Sequence, residues 1–470
     1  MVFSSLSFLI VFLPVLCVLF FIFPAGRGHI RQYLLLLFSL VFYATGEPLY
    51  IFLIIGCILI TWLLSRYVEK RKRTVLAAAV LVNVIPLIVT KYSGFLADNI
   101  NAVLGNRIIQ IPRIVMPIGI SFYTFQVITY MVDLYRGKVE RQKNPLLFAL
   151  YIMFFPQLIA GPIVKYEEIQ KELACPDISW ENIRYGTGRF ITGLGKKVLL
   201  ANQAGHIASA IQSCDTSALT PGMTWLCVAA YTVQIYFDFS GYSEMAIGLG
   251  SIFGFHFPEN FRDPYTSKSI TEFWRRWHIT LGRFFREYVY IPLGGNRVTK
   301  ARWILNIFIV WTLTGLWHGA AWNFIIWGLY YGILIVFEKI TGISKKIPGV
   351  LGWIITLLLV MIGWGIFMCD SYSIGEMTSF LGRLFFIGGN ADNPATVASL
   401  KLWGDIPFLA AGILLASPLY VTVRGKCGDI IQKDIPVAGI IHDGSLTAIL
   451  LLSILFLIGG TYNPFIYFRF

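Results

Sequence analysis

Charge is scarce in this sequence. Asp, Glu, Lys and Arg together make up 13% of 470 residues, about half the ~25% usual for a soluble domain. No long polar stretch interrupts the chain, which argues against a separate soluble module. Cysteine is sparse too. Cys17, Cys57, Cys175, Cys214, Cys227, Cys369 and Cys427 are scattered singly with no CxxC, so they form no metal or redox signature. The six histidines include no HExxH pair, which speaks against zinc. The sequence "GLGSIFG" (Gly248–Gly254) is not a GxGxxG and has no βαβ unit around it. "GLGKK" (Gly193–Lys197) lacks Walker spacing, and Ser240 has no GxSxG elbow. There is no internal repeat of the kind an inverted-repeat transporter carries, and no low-complexity segment.

What the chain does contain is apolar sequence: 56% of residues are hydrophobic and 16% aromatic. Runs long enough for a bilayer, roughly 17–25 residues, or somewhat shorter, lie near 4–23, 32–46, 48–65, 74–91, 114–133, 145–161, 221–239, 303–318, 321–338, 350–369, 403–421 and 445–461. The first has no basic flank and no small-residue cleavage site, so it reads as a retained span. The expected fold is an all-α polytopic membrane protein of about 10–12 spanning helices, as one membrane-embedded domain over 1–470. Its motif-rich core is about 114–340, with C-terminal helices over about 350–470.

The basic loops "GRGHIR" (Gly26–Arg31), "RYVEKRKR" (Arg66–Arg73) and "YRGKVERQK" (Tyr135–Lys143) fall on one side of this scheme. That side should be cytoplasmic, with the N-terminus outside. The net charge of +13 then serves anionic membrane lipid, and part of it can draw an anionic ligand; nucleic acid is not expected. Segments 162–220 and 240–302 hold many Gly, Pro and charged residues. They are expected to be re-entrant or interfacial helices lining a cavity.

His318 stands inside "WTLTGLWHGAAWNFIIWGLYYG" (Trp311–Gly332). An ionisable group within a span is costly and points to function. Gly315, Gly319, Ala320 and Ala321 are small and leave room near the ring, and an imidazole can act as a general base near neutral pH. A hydrogen-bonded core histidine is the competing reading. His278 lies in "FWRRWHITLGRFFREYVYIPLGG" (Phe273–Gly295). Helical spacing puts Phe273, Trp277, Leu281, Phe284 and Tyr288 on one stripe, which predicts a single interfacial amphipathic helix. Nine Lys/Arg against three Asp/Glu between Arg262 and Arg302 place it on the cytoplasmic side. His278 is either one more polar group on a wet face or a second group reaching the His318 site. Asp238 either caps a following helix or supports the site.

Six stretches resemble the membrane-bound O-acyltransferase family, and within it the alginate O-acetylation branch. They are "FFPQLIAGPIVKY" (Phe154–Tyr166), "GLGKKVLLAN" (Gly193–Asn202), "YFDFSGYSEMAIGLG" (Tyr236–Gly250), "FGFHFPENFRDPY" (Phe253–Tyr265), "SITEFWRRWHITLGRFFREYVYIPLGGNR" (Ser269–Arg297) and "LTGLWHGAAWNFIIWG" (Leu313–Gly328). The resemblance implies a ring of tilted helices around a central tunnel, with His318 and His278 as the catalytic pair. Trp274, Arg275 and Arg276 would meet the acyl donor, while Asn323, Asp238 and Trp317 would support the site. It also implies acetyl-CoA as donor, no permanently bound cofactor or metal, and an exported SGNH-type acetyltransferase partner that modifies a polysaccharide outside a bacterial cytoplasmic membrane. D-alanyl transfer from an acyl carrier protein is the alternative within the family. Transport of a polymer or lipid is the alternative outside it.

Overall fold

In lipid, an apolar run must satisfy its own backbone groups, and a helix does so within one segment. The computed structural model describes residues 1–23, 28–68, 70, 72–106, 108–111, 114–387, 402–431, 436–460 and 465–466. Among them there are helices and loops but no β-strand. They fall into two compact units, Met1–Phe190 with Tyr242–Glu259, and Ile191–Gly241 with Asn260–Phe470.

Among the described residues, five helices are long and apolar enough to cross a bilayer: Tyr50–Val68, Arg73–Leu104, Trp322–Thr341, Gly349–Phe367 and Gly439–Gly459. The run near 403–421 is instead a pair, Leu402–Leu415 and Pro418–Lys426, bent by 67°; Pro418 starts the second piece, since a proline ring cannot continue a helix interior. The run near 145–161 divides into Pro145–Met153 and Phe155–Leu158.

The first unit is stitched by aromatic rings. Phe3, Phe8, Phe12 and Phe42 all pack around Phe155, at 5.5–6.2 Å between centroids. Asn144 caps the helix that delivers this cluster, its side chain accepting from the Leu146 N–H at 2.9 Å. Glycines bring helices to backbone contact: a Cβ on Gly248 would overlap the Gly186 carbonyl.

The second unit holds the helical hairpin of Lys300–His318 and Trp322–Thr341. Here the sequence reading needs correction. Gly315 and Gly319 do not leave room for a ligand. A Cβ on Gly315 would overlap the Phe324 carbonyl oxygen, one on Gly319 the Phe324 ring, and one on Gly328 the Trp311 carbonyl. The small residues are filled by the returning helix. Against this hairpin lies Gly349–Phe367, with Gly352, Thr356, Val360, Gly363, Trp364 and Phe367 turned inward. Leu351, Ile354, Ile355 and Leu358 are exposed on the opposite side. A helix apolar on both faces belongs in lipid.

Residues 240–252 also differ from expectation. The helix Pro221–Ile252 runs straight through them for 32 residues. Its small and polar residues are not breakers, because they face inward: Ser240, Ser243 and Ser251 are buried.

Candidate active site

The stretch around His278 is two helices, not one. Ser269 opens the first, its hydroxyl accepting from the Glu272 N–H at 3.1 Å. The Glu338 carboxylate accepts from the Ile270 and Thr271 N–H groups at 2.9 and 3.3 Å. An anion there meets the positive end of the helix. Ile270–Arg276 then stops at Trp277, His278 takes φ 45°, ψ 53°, and Ile279–Phe285 begins. A left-handed backbone costs a non-glycine residue about 1–2 kcal/mol. The break survives because segment 260–262 collects its exposed backbone groups. Arg262 N–H donates to the Arg276 carbonyl at 2.9 Å, and Ile279 N–H donates to the Asn260 carbonyl at 3.0 Å.

His278 is therefore buried, at 1% exposure, and the wet-face reading is set aside. Its Nδ1 lies 3.1 Å from Asn260 Oδ1. Its ring meets Phe239 edge-on at 4.6 Å and Trp317 at 5.7 Å. Burial pushes its pKa down to about 3.

His318 is the last residue of its helix, at 3% exposure. Its imidazole meets Trp317 at 4.8 Å, Trp327 at 5.1 Å and Phe367 at 5.2 Å, each near edge-on. The indole of Trp317 thus touches two histidines 40 residues apart in sequence.

Beyond Trp327 lies an aromatic cage. Trp364 sits 6.1 Å from it, Tyr331 5.3 Å and Trp274 5.5 Å. The indole N–H groups of Trp274, Trp327 and Trp364 and the Tyr331 hydroxyl are buried without hydrogen-bond partners. Leaving such a donor unsatisfied costs about 1–3 kcal/mol, which a group presenting an acceptor to it would recover.

The remaining expected residues sit as follows. Trp274 joins the cage, also meeting Trp311 and Tyr331 at 4.7 and 4.8 Å. Arg275 is exposed. Arg276 is engaged by Glu272 at 2.6 Å and Thr266 at 3.0 Å. Asn323 donates its amide N–H groups to the Ile366 and Phe367 carbonyls at 3.5 and 3.0 Å, bracing the helix end that carries Phe367. Asp238 is not a helix cap. It lies mid-helix, 2.5 Å from the Lys197 ammonium, and accepts from the Ile466 N–H at 2.6 Å. Its neighbour Phe239 is the residue that touches His278.

Sequence reasoning missed Asn260, Trp327, Tyr331, Trp364 and Lys197. The signal for Asn260 was an amide inside the "FGFHFPENFRDPY" stretch, but nothing in the spacing ties it to a histidine 18 residues away.

The arrangement offers an imidazole, a second buried imidazole and a bank of donors in buried, largely aromatic surroundings. That combination suits proton transfer and stabilisation of a developing oxyanion. A profile of the membrane-bound O-acyltransferase family matches residues 41–379. The chain belongs to this family. It is a membrane acyltransferase, and its relatives narrow the chemistry. The probable alginate O-acetylase AlgI of Azotobacter vinelandii is 37% identical, with both chains covered completely. The peptidoglycan O-acetyltransferase of Helicobacter pylori is 36% identical over 78% of this chain and 77% of its own. A teichoic acid D-alanyltransferase of Bacillus subtilis is more distant, 30% identical over 66% of this chain and 84% of its own.

Proposed function

We propose that this acyltransferase moves an acetyl group from a cytoplasmic thioester, acetyl-CoA, to a hydroxyl on the far side of a bacterial cytoplasmic membrane, in the acetylation of a cell-surface or exported polysaccharide. The observation that carries this reading is the contact of both His318 and His278 with Trp317, beside buried donors without partners. The O-acetylating relatives, more similar than the D-alanyl transferase, favour acetyl over D-alanyl.

In the proposed reaction His318 takes the proton of the acceptor hydroxyl as its oxygen attacks the thioester carbonyl. Donors of the cage, such as the Trp327 N–H, hold the oxyanion. The C–S bond then breaks, an ester forms, and the thiolate leaves and takes up a proton. The exposed Arg275 and its basic surroundings draw the phosphorylated donor to the cytoplasmic face. The lipid-embedded enzyme hands the acetyl group to an exported SGNH-type partner, which carries it on a serine to the glycan.

Sealed vesicles of defined orientation test this directly. Acetyl-labelled CoA should be consumed when the cytoplasmic face is outward and not when it is enclosed. His318→Ala should lower that rate by about 10²–10⁴-fold while the protein remains monodisperse. An undiminished rate in His318→Ala, or use of the donor from the opposite face only, would refute the assignment.

A further inference from the structure

Three hydrogen-bond contacts converge on one oxygen beside His278. Asn260 Oδ1 lies 3.1 Å from His278 Nδ1, 3.3 Å from Thr280 N and 2.9 Å from Thr280 Oγ1. A backbone N–H can only donate, so the Thr280 contact identifies this end of the Asn260 side chain as its carbonyl oxygen. A carbonyl oxygen only accepts, so the nitrogen facing it must carry a proton. In a neutral imidazole one nitrogen is a donor and the other an acceptor. Nδ1–H therefore leaves Nε2 as the acceptor.

Asn260 is itself completely buried, and its own backbone carbonyl accepts from Ile279 N–H at 3.0 Å. It thus fixes two things at once: the left-handed turn at His278 and the ring's hydrogen-bond polarity. We infer that Asn260 is a positioning residue that locks His278 in the Nδ1–H tautomer, so that His278 enters acyl transfer as a hydrogen-bond acceptor through Nε2 and not as a donor to the oxyanion. The donor role falls instead to the cage around Trp327.

The surroundings agree. Phe239 and Trp317 pack on His278, and neither titrates near neutrality. The titratable groups next along those elements are Asp238, paired with Lys197, and His318. On the remaining side Asn260 and Thr280 carry no charge. Burial alone drives the shift of the ring to about 3, which keeps it neutral and makes its tautomer matter.

The spectroscopic part of the test is independent of the acetyl-transfer reading; only the kinetic part rests on it. Full-length protein with ¹⁵N-histidine in lipid nanodiscs, compared with His278→Gln for assignment, should show His278 with Nδ1 protonated and Nε2 bare across about pH 5–8. An Nε2-protonated ring would overturn the inference whatever the activity. In the kinetic part, Asn260→Asp places a carboxylate against Nδ1–H and favours the imidazolium, so the acid limb of kcat should move up into the neutral range. Asn260→Leu should lower kcat about 10–100-fold, the range found when the orienting partner of a metal-bound histidine is removed, with little change in KM for acetyl-CoA. A pH profile for Asn260→Asp that superposes on wild type would also overturn it. Absence of acetyl transfer in wild type would instead remove the proposed function and leave the tautomer result standing.

Discussion

A neutral imidazole sealed from water makes folding sensitive to acid. His278 ionises at about 3 in the folded chain and near 6.5 when unfolded. The folded form is therefore fully favoured above about pH 6.5. Below it the unfolded chain binds a proton that the folded chain does not, and stability falls by up to about 1.4 kcal/mol per pH unit until pH 3 is approached. Thermal unfolding in detergent between pH 4 and 7 should show this slope, and His278→Asn should flatten it relative to wild type. The same burial explains how much of the site could be read in advance. His318 was legible because an ionisable group among apolar residues has few innocent explanations. The role of Asn260 was not, since an amide earns its meaning only from the donors that tertiary packing aims at it.

Elements carry the constraint through their glycines. The hairpin of Lys300–His318 and Trp322–Thr341 closes backbone to backbone at Gly315 and Gly328, and that closure holds the end of the first helix, hence His318, against Trp327. Gly315→Val must push the helices apart or strain them. A loss of about 1–3 kcal/mol is expected, seen as a lower Tm, together with reduced acetyl transfer because His318 rides on the displaced turn. Composition had pointed to these small residues, but only the fold tells whether a gap beside a glycine is open or occupied. The break at Trp277–His278 was hidden for a related reason. Phe273, Trp277, Leu281 and Phe284 are buried, as one continuous helix would also bury them, so the apolar stripe does not betray the left-handed residue in its middle. The 32-residue helix Pro221–Ile252 is the converse case: its serines and glycines look like interruptions, yet they are what lets neighbouring backbones come close.

At the scale of the whole molecule, lipid rewards apolar surface on the outside, so polar residues inside become the informative ones. The pair Lys197–Asp238 is deeply buried, with both side chains 2% exposed. Removing one member strands the other. Lys197→Met should cost about 3–5 kcal/mol, whereas Lys197→Met with Asp238→Leu should recover much of that loss; a comparison of Tm for the two variants decides it. Apolar runs could announce the membrane and the motifs the family, but neither could announce this pair, whose members are 41 positions apart.

The Ile466 N–H that rests on Asp238 ties the far end of the chain to this pair, and Phe239, the next residue, bears on His278. Ile466 is thus three short steps from His278. A residue almost two hundred positions away in sequence is in this way an inner neighbour of the reaction chemistry, and a proline at 466, which lacks the N–H that donates to Asp238, would be felt at the imidazole.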